Sequence, residues 1–155
     1  MRWTFLVVAL FVCAPADAQN AREPVFSEHW VPVSDGLKLY ARVLGNGPDT
    51  VLIPAAAYLA HDLAPLAAGR TLVFYDPRAR GVSDAIPPGA ATDMGAEIRD
   101  LEAVRTFFGV HRASLLGWSY LGAVVALYAA EYPDRVRRLV QVGPMAPVSD
   151  MAAVP

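Results

Sequence analysis

The chain contains one cysteine, Cys13, and that residue sits inside an apolar leader. Downstream of it there is no thiol to form a disulfide or to act as a nucleophile. Strong charge of either sign is also missing. The 13 basic and 15 acidic residues leave a net charge of −2, and the basic residues form no long run. A nucleic-acid surface or a polybasic membrane patch is therefore not expected. Histidine is scarce: the three are His29, His61 and His111, and none follows residue 111. No H-x-x-x-H or similar ligand spacing occurs, so no metal is expected. Signs of a cofactor are equally thin. Gly122 is followed by Ala123 and Val124, where a phosphate loop needs Lys and then Ser or Thr. A dinucleotide fingerprint needs glycine where Ser119 stands and an acid at the end of the next strand, which instead closes on Gln141, Val142 and Gly143. A nucleotide-binding domain stays an outside reading, and no cofactor is expected.

What is present starts with the leader. Arg2 supplies a positive start, "FLVVALFVCA" a short apolar stretch, and Ala16-Asp17-Ala18 an A-x-A cleavage signal. The stretch is too short for a comfortable membrane span. Residues 1–18 thus read as a signal peptide cleaved after Ala18. Its removal leaves 137 of the 155 residues, destined for the periplasm or the exterior and free of the membrane. With 55% hydrophobic residues the remainder has enough apolar material for a core.

Beyond the leader, strand and helix signals alternate. "EHWVPVSDGLKLYARVLG" is a hairpin pattern turning at Asp35-Gly36, with Val31 and Val33 before the turn and Leu37, Leu39 and Ala41 after it. "TVLIP" (50–54) and "TLVFYD" (71–76) are short continuous apolar runs typical of strands buried in a parallel sheet. Between them "YLAHDLAPLAAG" suggests a short helix that Pro65 shortens or bends. After a loop rich in Gly, Pro and charge, Met94, Ile98, Leu101, Val104 and Phe108 recur at helical spacing, with Gly109 as the stop. "RASLLG", "YLGAVVALYAAEY" and "RVRRLVQVG" continue as strand, apolar helix and strand, with Pro133 closing the helix. This order predicts an α/β fold, a mostly parallel sheet with helices on both faces and right-handed crossovers.

Such sheets place their chemistry at the carboxyl ends of strands. Ser119 sits there, between "SLLGW" and the apolar helix. A nucleophile on that tight turn needs small neighbours two residues before and two after. Gly117 meets the first need; position 121 is Leu, and the glycine comes one place later, at 122. A serine capping the following helix is the competing account.

From residue 28 to 144 the chain resembles the α/β-hydrolase superfamily, in particular its proline-iminopeptidase-like and esterase-like branches. "YDPRARGVSD" is similar to that family's Asp-x-Arg-Gly-x-Gly-x-Ser loop, matched by Asp76, Arg78, Gly81 and Ser83, with Ala79 in place of one glycine. "DLEAVRTFFGVHRASLLGWSY" follows its order of helix, strand and elbow, and "YAAEYPDRVRRLVQVGP" its following segment. The resemblance implies a small-molecule ester or amide as substrate and Ser119 as the nucleophile. It implies the Tyr120 amide as one oxyanion donor and the Ala56 amide as the other, in a loop reading Pro54-Ala55-Ala56-Ala57 where the family has His-Gly. Trp118 and Tyr120 then line an acyl pocket, or are core aromatics. Arg78, Arg80 and Asp84 read as pairs that fix their loop rather than substrate contacts.

In that family the triad runs Ser, then acid, then His. Here the acids after residue 119 are Glu131, Asp134 and Asp150, and no histidine follows. Glu131 and Asp134 fall at the far end of a helix, and Asp150 in a Pro- and Ala-rich tail. Of the histidines only His61 falls near the correct side of the sheet, and surface or capping roles suit all three. The expectation is a partial core over 19–145, ending after about the sixth strand, with 146–155 as the start of a lid or a tail. "RRLVQV" would then be an uncovered apolar edge strand. Two functions follow: an exported serine-type hydrolase whose triad acid and histidine lie outside this chain, or a non-catalytic hydrolase-like binding module.

Overall fold

A computed structural model of the protein describes residues 23–144. The expected leader with its expected cleavage site after Ala18, and the segment 146–155 expected to start a lid or a tail, lie outside the described residues. The expected hairpin forms from β1 (Ser27–Pro32) and β2 (Lys38–Gly45), paired antiparallel. Asp35 and Gly36 turn the chain with φ of 64° and 74°, backbone that Asp and Gly tolerate better than bulkier residues. Four further strands follow: β3 (Asp49–Pro54), β4 (Arg70–Tyr75), β5 (Ala113–Trp118) and β6 (Val136–Val142). The six lie in the order β1-β2-β4-β3-β5-β6. β4, β3, β5 and β6 run parallel, and β2 joins β4 antiparallel.

Alternation along the buried strands sorts side chains onto two faces. Leu52, Val73, Tyr75 and Leu115 face α2 (Met94–Phe107) and α3 (Tyr120–Glu131), where they meet Leu101, Val104, Val124, Val125 and Tyr128. Ile53, Leu72 and Phe74 face the other way and meet Ala56 and Ala60, in and just after α1 (Ala56–Leu59). Each fully buried side chain of this size contributes roughly 1.5–3 kcal/mol. Helical cover on both faces bears out the expected architecture, although α1 is one turn long. The single helix expected from "YLAHDLAPLAAG" divides into α1 and a 3-10 turn, Ala64–Ala67. Pro65 stands in the first turn of the latter; its missing N–H and fixed φ suit a helix start and prevent one continuous helix.

The Asp93 carboxylate caps α2, accepting the Ala96 amide at 2.8 Å, and Gly109 at φ 64° ends it. The polar residues of α2 do not all face solvent: Glu97, Asp100 and Arg105 are buried. Each has a partner, as buried charge requires. Arg105 holds Glu102, which also accepts the Tyr128 hydroxyl at 2.6 Å. Arg78 reaches Asp100 with two bonds of 2.7 Å. At the sheet edge, Leu139, Val140 and Val142 of β6 are exposed, as the apolar edge strand expected from the sequence. Among the described residues no helix is long and apolar enough to cross a membrane.

Candidate active site

β5 ends at Trp118 and α3 begins at Tyr120, leaving Ser119 alone to make the turn. It does so with φ 53° and ψ −128°, a conformation that costs a non-glycine residue on the order of 1–3 kcal/mol. The surroundings hold it there. The Ser119 amide donates to the Val142 carbonyl of β6 at 2.9 Å, and its carbonyl accepts the Gly122 amide at 2.9 Å. Its hydroxyl makes no capping bond. Asp93, which does cap a helix in this protein, has φ −81° and ψ 168°. Ser119 therefore occupies the position of a cap without its backbone or its bond.

Close packing of α3 onto β5 makes the turn possible. A Cβ on Gly117 would run into the Leu121 carbonyl and come within 2.5 Å of a Val125 methyl and 2.8 Å of the Gly122 Cα. At Gly122 it would meet Pro144 at 3.1 Å. The tight position after the serine thus belongs to Gly122, while Leu121 stands at the wall of the cleft, which is how the shifted glycine is accommodated.

Ser119 opens onto a cleft of about 520 Å³. The cleft is lined by Trp118, Tyr120 and Leu121 around the serine turn, by Ala55, Tyr58 and Leu59 around the start of α1, and by Arg80. Trp118 is 52% exposed, so it belongs to the cleft and not to the core. Tyr120 does both, lining the cleft and packing against the buried cluster. Ala56 is buried just behind Ala55 at the start of α1. Ala55 has φ 147° and donates its amide to the Tyr75 carbonyl at 2.8 Å; the Ala57 amide donates to Asp76 Oδ1 at 2.7 Å. Between those two anchored amides, the Ala56 N–H meets no acceptor among the described residues, and neither does the Tyr120 N–H. Two uncommitted amides at helix starts are suited to developing negative charge.

The Asp76–Asp84 loop braces this arrangement. Asp76 also accepts the Val82 amide at 2.9 Å, and its carbonyl accepts the Ser83 hydroxyl at 2.6 Å. Arg78 and Asp84 fix the loop as expected, Arg78 to Asp100 and Asp84 to the Lys38 amide at 2.8 Å. Arg80 also pairs as expected, with Glu97 of α2, and in addition it lines the cleft. Its guanidinium lies 5.2 Å above the Tyr120 ring and 3.1 Å from Glu97, and its side chain is 41% exposed. Burial pushes the Glu97 carboxyl up from its ordinary value, and Arg80 opposes the shift. Burial, with the Glu97 charge, also raises the Tyr120 phenol. The sequence held a sign of the buried acid: Glu97, Leu101 and Val104 share the i, i+4, i+7 spacing of the core face.

None of the three histidines lines the cleft. His61 packs edge-on against Phe26 at 5.5 Å, His29 against Phe108 at 5.2 Å, and His111 borders a surface hollow beside Glu131 and Asp134. Among the described residues no three His, Cys, Asp or Glu side chains gather as a metal would require.

The sequence profile of a family described as the alpha/beta hydrolase fold matches residues 52–154. Solved structures similar to this chain include a 2-hydroxy-6-oxo-6-phenylhexa-2,4-dienoate hydrolase from Rhodococcus sp. strain RHA1, at 25% identity and a TM-score of 0.69, over 80% of this chain and 48% of that one. An esterase from Rhodococcus sp. ECU1013 is 34% identical with a TM-score of 0.67, over 77% and 46% of the two chains. Epoxide hydrolase A from Mycobacterium thermoresistibile is 26% identical with a TM-score of 0.68, over 76% and 39%. The chain spans less than half the length of each of these structures.

Proposed function

Because the chain belongs to the alpha/beta hydrolase fold family, whose profile takes in residues 52–154, we propose that it is an exported serine hydrolase cleaving a small-molecule ester or amide. The observation that carries this reading is the backbone of Ser119, pinned at φ 53° where strand turns into helix, with its hydroxyl uncommitted beside an apolar cleft. Strain of that kind persists only where the surroundings over-determine it, and it concentrates at functional sites.

In the reaction, Ser119 Oγ bonds to the carbonyl carbon as the carbonyl π pair moves onto oxygen, and the hydroxyl proton passes to a base. The Tyr120 and Ala56 amides donate to the oxyanion, Tyr120 from the positive end of α3. Collapse expels the alcohol or amine with a proton, and water then releases the acid and restores the serine. No histidine lines the cleft, so on this reading the base and its orienting carboxylate come from residues other than these 155. No cofactor is required. Residues 1–18 direct export and are removed after Ala18.

The test is labelling of the protein, as its native host produces it, with a fluorophosphonate, together with its intact mass. The expected result is one adduct, on Ser119, absent from Ser119→Ala along with hydrolysis of p-nitrophenyl butyrate. An unlabelled wild type, or equal labelling of Ser119→Ala, overturns the assignment. The lack of a histidine in the cleft favours a second reading, a binding module without catalysis. An unlabelled host product of 137 residues, the length left after the leader, would support it.

A further inference from the structure

The wall around Ser119 is built of Ala55, Tyr58, Leu59, Trp118, Tyr120 and Leu121, and among the described residues Arg80 is the one charged side chain that lines it. Arginine at an apolar wall is costly unless its donors are used. Part of the guanidinium is: its two terminal nitrogens lie 3.1 Å and 3.4 Å from the Glu97 carboxylate, which is almost fully buried on α2. The ring of Tyr120 holds it from a second direction at 5.2 Å. Glu97 thus grips the guanidinium from inside the protein and the Tyr120 ring lies against it, while two-fifths of the side chain remains accessible. A guanidinium has five N–H donors in a rigid fork, and one carboxylate engages only part of them. The remaining donors belong to a side chain that shares its wall with Ser119.

We infer that Arg80 recognises a negatively charged group on the ligand of this cleft, so that the preferred ligand carries a carboxylate on an apolar body. For catalysis this rests on the serine-hydrolase reading and selects, among esters and amides, those with an anionic acyl chain; for binding it stands without that reading. The Glu97 pair adds one more tie from the loop to α2, beside those of Arg78, Asp76, Ser83 and Asp84, and it leaves part of the Arg80 guanidinium unengaged.

Two measurements on the full protein as its host makes it separate the inference from the reaction. The first compares kcat/KM for mono-p-nitrophenyl glutarate with that for p-nitrophenyl butyrate, which lacks only the terminal carboxylate. The ratio is expected to fall about tenfold or more in Arg80→Gln, and Arg80→Lys is expected to retain part of it, as a charge-assisted bond implies. The second is calorimetric titration with 4-phenylbutyrate and its neutral counterpart 4-phenylbutanol, which requires no turnover. Wild type is expected to bind the carboxylate about tenfold more tightly, and Arg80→Gln to lose the difference. Equal binding of acid and alcohol by wild type, or a preference that survives Arg80→Gln, overturns the inference. If neither ester is hydrolysed while the titration shows the preference, the catalytic reading fails and the anion site stands.

Discussion

The buried carboxylate of Asp76 accepts the Ala57 amide at 2.7 Å and the Val82 amide at 2.9 Å, tying the first turn of α1 to the loop that follows β4. One oxygen serves each amide, and a Cβ on Gly81 would run into the same carboxylate. Asp76→Asn keeps the shape but turns an NH2 group toward one of two N–H donors. A donor left facing a donor in a buried site costs about 1–3 kcal/mol. Urea unfolding of Asp76→Asn should show a loss of that size, and no loss would mean that solvent or a rearranged loop satisfies both amides.

Ala55 and Ala79 stand at φ 147° and 56°, backbone that favours glycine, and both occupy positions where the resemblance to the hydrolase family expects glycine. The fold keeps the glycine conformation and tolerates the Cβ. Ala79→Gly and Ala55→Gly are each expected to stabilise the protein by about 1 kcal/mol, relief of steric strain outweighing the added freedom of the unfolded chain. Thermal or urea unfolding checks this, and destabilisation at both sites would show that the alanine methyl groups contribute packing larger than the strain.

Arg78 and Asp100 are both almost fully buried and bond through two parallel contacts of 2.7 Å, with further donors of Arg78 reaching the Ala91 carbonyl, Asp35 and Ser34. Removing one partner strands the other charge, so Arg78→Leu is expected to cost about 3–5 kcal/mol. The double variant Arg78→Leu with Asp100→Leu should recover a large part of that loss. A double-mutant cycle by urea unfolding measures the coupling, and additive losses would mean that the pair is not coupled.

Glu97 gives the protein a stability component of opposite sign to most carboxylates. Burial raises its value above 4.5, so over the interval between the ordinary and the raised value the folded state holds more protons than the unfolded one. Its contribution is therefore fully present below 4.5 and declines as pH rises through the raised value. Glu97→Gln stays neutral throughout, and its stability relative to wild type should rise across that window. Melting temperatures of both proteins from pH 4 to pH 8 test the trend, and parallel curves would show that Arg80 fully offsets the burial.

Strands, the α2 helix with its Gly109 stop, and the strand-serine-helix order were legible from residues within a few positions of one another. Turn chemistry and hydrophobic period are local properties of the chain, so a linear reading reaches them. The helix expected between β3 and β4 failed for a local reason as well, since Pro65 supports a new start better than a continuation. Trp118 and Arg80 were ambiguous because an aromatic and a cation suit a core edge, a loop or a cleft equally, and only the neighbours decide. The sequence by itself determined the strands, α2, α3 and their order, together with the position of Ser119 among them. Tertiary structure decided the strained state of Ser119, which depends on a bond to Val142 in β6, and the bracing of Ala57 by Asp76 across 19 positions. It also decided the placing of Arg80 in the cleft by Glu97, 17 positions away. Each of these is a contact between segments distant along the chain, formed only when the sheet brings strand ends and loops together, and no local pattern encodes it.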